Sequence, residues 1–551
     1  MEDFKQFKDP IYGYIQVPVF VVKDIIDTNV FQRLRRIIQT SYSPLYPSAI
    51  HNRFVHSIGV FHLGRIASDR LIMSIRANEE IDQNVDWKHL QEIFLLACLL
   101  HDVGHAPFSH TGENFYLDNT KETKRYEKIH KELIASVGSE TFKNDIPAED
   151  SKSAAPHEIM SAIIGIENFK SHFKNDFDKE LFARCITGYK FSQDFEINSI
   201  YNCFVSLLNS KVIDVDRLDY LIRDAYFTGF ETINIDYNRL LTSITIVKKE
   251  IQVDGEEKER YEVAYNKSAV SIIENVVYAH DSERKWIQTH PTVLYDMYII
   301  QHILFGLEKS MSCEGVSLLS RQALSPQGVD LPNGYHVSLL CDDDIVHLLK
   351  SRIDDALYSE FFARNKRRHP LWKSEAEYKA YLSLPYGGTS LENLETALDL
   401  TEKYVRKYTD GWIINNDVIK KVEDEIRKIQ ESKENAIDKK TKEKQIASKN
   451  SILKLMKCMS QYSEDCNCTC DFVILKASQF YSGFNKNEFG KIAIVFPKKE
   501  SNKFFEFDKV VSTLNSMEDS AKEFFYLYFN PNEGNGFSKE EFCKRLYAAF
   551  M

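Results

Sequence analysis

Eight residues, Ile93-Phe-Leu-Leu-Ala-Cys-Leu-Leu100, run without a polar side chain and stop on His101-Asp102. A segment that is apolar on every side belongs in the middle of a core. It therefore carries the imidazole and carboxylate that follow it inward, where they are unfavourable unless paired or bound to a cation. Val103-Gly-His105 and Pro107-Phe-Ser-His110 come next, so one short stretch offers three imidazoles and a carboxylate. A divalent cation held by such groups takes three or four of them and leaves a position open for water or substrate.

Two further ligand candidates lie elsewhere: His56, in Asn52-Arg-Phe-Val-His-Ser-Ile-Gly-Val60, and Asp216, in Ile213-Asp-Val-Asp-Arg-Leu-Asp-Tyr220. On a helix, Asp216, Tyr220 and Asp224 share one face. That row of ligand, phenol and carboxylate suits a molecule with a cation-bound phosphate at one end and a sugar at the other. Taken singly, these residues have plainer readings. A His-Asp pair is common by chance, Arg53 reads as a solvated arginine, and Asp214, Asp219 and Arg223 read as surface ion pairs. The combination is what points to a site.

A chain of 551 residues is too long for one ordinary core and predicts two or more packed units. Its hydrophobic share of 43% and charged share of 27% are those of a soluble globular protein. A formal charge of -11 argues against a protein that mainly coats nucleic acid. The N-terminus lacks a basic-then-apolar signal pattern, and the longest apolar run falls short of the roughly 20 residues that span a membrane. Ten scattered cysteines fit a reduced, cytoplasmic chain. Cys466, Cys468 and Cys470, with Cys458 upstream, do not repeat the paired spacing of a zinc site and read as ordinary thiols.

Ile11 to Val22 reads as a short hairpin or extended arm, and from Asp24 to about Ser325 the apolar spacing is mostly helical. No Gly-rich dinucleotide or Walker motif is present, which argues against Rossmann and P-loop enzymes. Pro326, Gly328, Pro332 and Gly334 mark a boundary, giving a domain over 1–330 and a lobe over 331–551. Asp417 to Met456 mixes both charge signs and reads as a solvated helical hairpin in preference to a nucleic-acid arm. Strand-like runs follow at Asp471–Phe480, Lys491–Phe496, Lys503–Val511 and Glu523–Phe529. The expected fold is mainly α, a helical core with a smaller mixed α/β C-terminal lobe.

These segments resemble the HD superfamily and, within it, the deoxynucleoside triphosphate triphosphohydrolases, both dGTPase-like and SAM-and-HD-domain-like. The similarity runs through Lys8-Asp-Pro-Ile-Tyr-Gly-Tyr14, Ile26-Asp-Thr-Asn-Val-Phe-Gln-Arg-Leu-Arg35, His51-Asn-Arg-Phe-Val-His-Ser57, the His101–His110 segment, and Asp214-Val-Asp-Arg-Leu-Asp-Tyr220 to Arg223-Asp224. It covers the chain well to about Glu231 and is patchy beyond, where Tyr335 to Ile345 ends in an Asp-Asp-Asp-Ile similar to the family's Thr-Asp-Asp segment.

The resemblance implies an HD-domain helical core with His56, His101, Asp102 and Asp216 holding a divalent metal (manganese, iron, magnesium, cobalt or zinc). It makes His105 the catalytic histidine and general acid, His157 a second active-site histidine, and His110 and Glu113 supporting residues, with Glu where relatives usually carry Asp. Arg53 takes phosphate, and Arg217 stands for a phosphate-binding lysine, with a guanidinium able to grip at two points. Gln39, Tyr220 and Asp224 hold deoxyribose, Tyr220 leaving no room for a 2′-hydroxyl. In Asp281–Pro291, Ile287 replaces a tyrosine, and Arg284, Lys285 and His290 are further phosphate contacts. Asp27, Gln32 and Arg35 match positions that read a guanine effector between subunits, which implies a homo-oligomer, dimer or tetramer. The implied reaction is attack at the α-phosphorus of a deoxynucleoside triphosphate, releasing deoxynucleoside and triphosphate. Two alternatives use the same residues. One is an HD phosphodiesterase or nucleotidase acting on another nucleotide or single-stranded nucleic acid. The other is a non-catalytic nucleotide sensor, against which stands the intact ligand set.

Overall fold

A computed structural model describes the chain apart from residues 1–2, 42, 82–83, 118–123, 147–153, 231–233, 254, 314, 351–355, 387, 409–412, 432–438, 467–470, 478–485, 497–502, 513–523 and 531–536. The N-terminal arm is a hairpin in which β1 (Phe4–Asp9) pairs antiparallel with β2 (Gly13–Pro18). The Asp9 carboxylate accepts the amides of Ile11 and Tyr12 at 2.8 and 3.0 Å and so shapes the turn between them.

The core is helical. Arg53–Arg76, Trp87–Leu100, Pro156–Asn168, Asp176–Thr187, Glu196–Leu208 and Val215–Thr228 are its main elements. Several start where a side chain can accept a free amide of the first turn: Asn52 from Val55, Asp86 from His89, Asn175 from Asp178 and Asp214 from Arg217. The apolar run forms the Trp87–Leu100 helix, packed between Arg53–Arg76 and Asp176–Thr187 with Phe94, Ala97, Cys98, Leu99 and Leu100 fully buried. Its last turn therefore delivers His101 and Asp102 to the centre of the bundle.

One sheet lies inside the region expected to be helical. β3 (Ile244–Val253) and β4 (Glu256–Asn266) form a long antiparallel hairpin. Alternating Ile, Val and Tyr around an Asp-Gly pair is a hairpin signal, and it prevails over the helical spacing on either side. Ala493–Phe496 joins β4 in parallel, and Lys503–Glu506 pairs outside it. The expected strand Lys503–Val511 ends at Glu506 and continues as the short helix Phe507–Val510. The other C-terminal strands, Phe472–Lys476 and Phe525–Phe529, belong to a separate sheet with Ile413–Ile414 and His369–Pro370. The charged segment forms the paired helices Asn416–Glu431 and Lys439–Asp465.

The chain packs as two units. The first comprises 1–284, 303–352 and 482–519, the second 285–302, 353–481 and 520–551. The chain thus passes between units several times instead of dividing once near residue 330. The Pro- and Gly-rich stretch there builds a small turn inside the first unit, pairing Val329–Asp330 with His336–Val337. No described helix is long and apolar enough to cross a membrane. Cys466 is buried, while Cys468 and Cys470 lie outside the described residues.

Candidate metal centre

His101 caps the Trp87–Leu100 helix and Asp102 follows it. His56 sits in the first turn of Arg53–Arg76 and Asp216 in the first turn of Val215–Thr228. The three segments meet. The Nε2 atoms of His56 and His101 are 3.2 Å apart, and Asp216 Oδ1 is 3.0 Å from the first and 3.6 Å from the second. Asp102 reaches the same point, Oδ1 3.4 Å from His101 Nε2 and Oδ2 3.5 Å from His56 Nε2.

The hydrogen bonds at the far side of each ring decide what this point can hold. His101 Nδ1 donates to the Cys98 carbonyl at 2.9 Å, and His56 Nδ1 donates to Asp219 Oδ2 at 2.7 Å. Both Nε2 lone pairs then face each other at 3.2 Å, a repulsive arrangement unless positive charge lies between them. The spacing is compatible with two bonds of about 2.1 Å to one ion. Protonation tells the same story. Burial alone would pull the His56 imidazole down, but its hydrogen bonds to Asp216 and Asp219 and the charge of Asp102 push it up to about 10. Three carboxylates gathered about one imidazole favour a cation there. The donor set of two imidazoles and two carboxylates fits a divalent metal.

Asp219 and Arg223 are not surface ion pairs. Both are fully buried. Arg223 donates to the two Asp219 oxygens at 2.8 and 3.0 Å and to Asp9 Oδ2 at 3.0 Å. Asp219 thus orients His56 and is itself held by a buried guanidinium. The signal was present in the sequence. Asp216 and Asp219 are three apart on one helix face, so one imidazole can bond both, one at each nitrogen. Gly59 permits the helices to meet there, since a Cβ on it would lie 2.0 Å from Asp219 Oδ1. Asp214 is also buried, serves as the helix cap and is pushed up to about 6 by burial.

Beside the metal point stands a second group. Glu113 Oε1 accepts the His157 amide at 2.9 Å and His157 Nδ1 at 2.6 Å, and Oε2 accepts His110 Nδ1 at 2.8 Å. His105 stacks on His157, with ring centres 4.1 Å apart and planes 10° off parallel. Its Nε2 lies 3.1 Å from Asp102 Oδ1, outside hydrogen-bond geometry. Burial, with Arg53 and His157 nearby, depresses the His105 imidazole well below its ordinary range, so the ring is neutral. His110 is different, with its side chain 51% exposed. Phe108 and Ser109, between these histidines, are both left-handed at φ 58° and 54°. For residues with a Cβ this conformation costs about 1–2 kcal/mol each.

The His157–Glu113 pair sets a pH expectation. Burial opposes the charged imidazole, but Glu113 outweighs it and pushes His157 up to about 9. Burial likewise opposes the Glu113 carboxylate, and His157 and His110 hold it well below its usual range. The raised histidine contributes stability that is complete below about pH 6.5 and lost as pH rises through about 9. The depressed carboxylate contributes stability that is complete above about pH 4.5 and lost in acid. Melting temperature should therefore decline from near-neutral pH toward pH 9, and Glu113→Gln should flatten that decline in a pH series of thermal scans.

Residues 53–186, which contain every member of both groups except Asp216, match the HD domain family. The chain carries an HD domain. Relatives extend the match past it. An uncharacterized protein of Mycoplasma pneumoniae is 31% identical over 49% of this chain and 52% of its own length. The deoxynucleoside triphosphate triphosphohydrolase SAMHD1 of Danio rerio is 31% identical over 44% of this chain and 36% of its own. The SAMHD1 homolog of Dictyostelium discoideum is 30% identical over 45% and 41%. The matched part thus spans about half or less of each relative's length. A crystal structure of a hypothetical protein from Aquifex aeolicus shares the fold, with TM-score 0.52 and 18% identity over 100% of both chains.

Around the HD domain's metal point, Arg53 is buried and donates to Asp102 Oδ2 at 2.8 Å, Ser109 Oγ at 2.9 Å and the Gln39 carbonyl at 3.2 Å. Arg217 folds back on the carbonyls of Val212 and Ser210. Tyr220 is shifted up, chiefly by burial. Asp224 Oδ1 is 2.7 Å from Nε2 of His51, which stacks on Phe227 at 4.7 Å, and the Gln39 amide donates to the His51 carbonyl. His51, the partner of Asp224, was given no role in the sequence reading. Arg284 ends one segment of the first unit, whereas Lys285, Ile287 and His290 belong to the second. Gln32 donates to the Ile26 carbonyl at 2.7 Å and accepts from Arg35 at 2.9 Å, forming one surface patch with Asp27.

Proposed function

We propose that the chain is a metal-dependent phosphohydrolase that cleaves deoxynucleoside triphosphates at the α-phosphorus, releasing deoxynucleoside and inorganic triphosphate. The observation that carries the reading is the meeting of His56, His101, Asp102 and Asp216 at one point beside His110, Glu113 and His157. The named activity of the Danio rerio and Dictyostelium relatives supports the substrate class. A bound divalent ion supplies Lewis acidity and an acidified water.

The chain's own residues do the rest. Arg53 and Arg217 offset triphosphate charge. His110, half exposed and held at Nδ1 by Glu113, offers Nε2 as proton donor to the departing 5′-oxygen. His105, neutral and buried, supports the stack beneath it in place of donating. Gln39 and Asp224 take the 3′-hydroxyl, Tyr220 closes the 2′ side, and His51 fixes Asp224. In the same reading Asp27, Gln32 and Arg35 take a nucleotide effector, and the working form is a homo-oligomer.

The test is turnover of the four deoxynucleoside triphosphates, singly and mixed, with magnesium, manganese, iron or cobalt. Mixing is needed because one nucleotide can activate cleavage of another. Deoxynucleoside and triphosphate are the expected products. A monophosphate product, or cleavage confined to cyclic or polymeric substrates, overturns the reading. Substrates lacking the 3′-hydroxyl should be at least about tenfold poorer, because they leave buried polar groups unpaired. His51→Ala should narrow that difference.

A further inference from the structure

A segment near residue 340 grips the loop between Asp102 and His110 from behind. Asp342, which begins the helix Asp342–Lys350, is buried. Its Oδ1 accepts the Phe108 amide at 2.7 Å, and its Oδ2 accepts the Ile38 amide at 2.8 Å. Ser109 Oγ donates to the Ile38 carbonyl, which closes a hydrogen-bonded ring through Asp342, Phe108, Ser109 and Ile38. The same Ser109 oxygen accepts from Arg53 Nε, and Arg53 Nη1 reaches Asp102. Arg33 adds a parallel brace, its guanidinium donating to the carbonyls of Leu340, Val103 and His105 at 2.7, 2.9 and 2.8 Å.

Two consecutive left-handed residues with side chains persist only where their surroundings over-determine them. The hydrogen-bonded ring provides that determination. A carboxylate suits it because each oxygen can accept one amide while no donor is left to satisfy. Burial acts against the charge and pushes Asp342 up to about 7, with the two amides and Arg33 opposing it. The two amides and Arg33 work to keep the carboxylate as the acceptor of both bonds.

We propose that Asp342 is a positioning residue for the reaction. It clamps the Phe108–Ser109 turn in the one conformation that sets His110 and Arg53 against the metal ligands. The proposal rests on the phosphohydrolase reading for its catalytic part only. Asp342→Asn keeps the size but offers one acceptor and turns an N–H toward a backbone N–H. The expected result is a fall in kcat of about 10²-fold, as displaced catalytic groups produce, with metal content unchanged and KM little changed. Leu349→Ala, which loosens the same helix from its buried side, should lower the melting temperature while leaving kcat intact. Wild-type kcat in Asp342→Asn, or an equal loss in both variants, overturns the proposal.

Amide hydrogen exchange separates the clamp from the activity. Phe108 and Ile38 should exchange slowly in the unmodified chain and fast in Asp342→Asn. If no nucleotide is hydrolysed, the functional reading fails, and this exchange contrast still supports the clamp. Equal exchange in the two proteins overturns it.

Discussion

Asp102→Asn is expected to strip the chain of both its metal and its turnover. The Asp102 carboxylate faces His101, His56 and His105 at once and binds the buried Arg53 guanidinium at 2.8 Å. Burial opposes its charge, yet the Arg53 guanidinium above all holds it well below the usual carboxylate range. An amide of the same shape removes one anionic ligand and leaves Arg53 without its counter-charge. Breaking one side of a buried pair costs about 3–5 kcal/mol. Loss of the Lewis acid should lower turnover by about 10³-fold or more. Metal content of the purified variant by mass spectrometry, with turnover at saturating substrate, checks both. Full metal loading with normal turnover would remove Asp102 from the centre.

Asp219→Asn has the next largest expected effect, although Asp219 is not a ligand. It fixes the His56 ring so that Nε2 faces the candidate metal point, and with Asp9 it neutralises the fully buried Arg223. Groups that orient a metal-binding histidine in this way are worth about 10–100-fold in metal affinity. Arg223, left with Asp9 as its one remaining carboxylate partner, adds a destabilisation of up to about 3–5 kcal/mol, whereas an exposed pair would contribute about 1 kcal/mol or less. Competition with a chelator measures the first effect and thermal unfolding the second. A variant with wild-type metal affinity and a melting temperature within a degree or so of wild type would mean that the pair behaves as a surface pair.

The candidate site was more legible than the fold around it. The convergence of His56, His101, Asp102 and Asp216 was readable because candidate metal ligands combine strong chemical type with position, next to an apolar run and along one helix face. The mainly helical core was readable for a similar reason, since its apolar spacing repeats within single segments. The β3–β4 hairpin was hidden by its helical flanks. The sorting of the C-terminal strands into two sheets was hidden because strand sequence states a propensity to pair but not a partner.

The sequence by itself determined which residues are chemically able to hold a cation and that their segments are helices entering a core. Only the tertiary structure decided what stands behind them. Asp219 looked like a surface acid until packing buried it against His56. His110 and His105 look alike in sequence, yet packing leaves one open to solvent and the other enclosed and neutral. Asp342 reaches the loop from more than two hundred residues away. Local sequence fixes a residue's chemistry and its helical phase. Burial, protonation and hydrogen-bond partners depend on what other segments bring, and those arrive only when the chain folds.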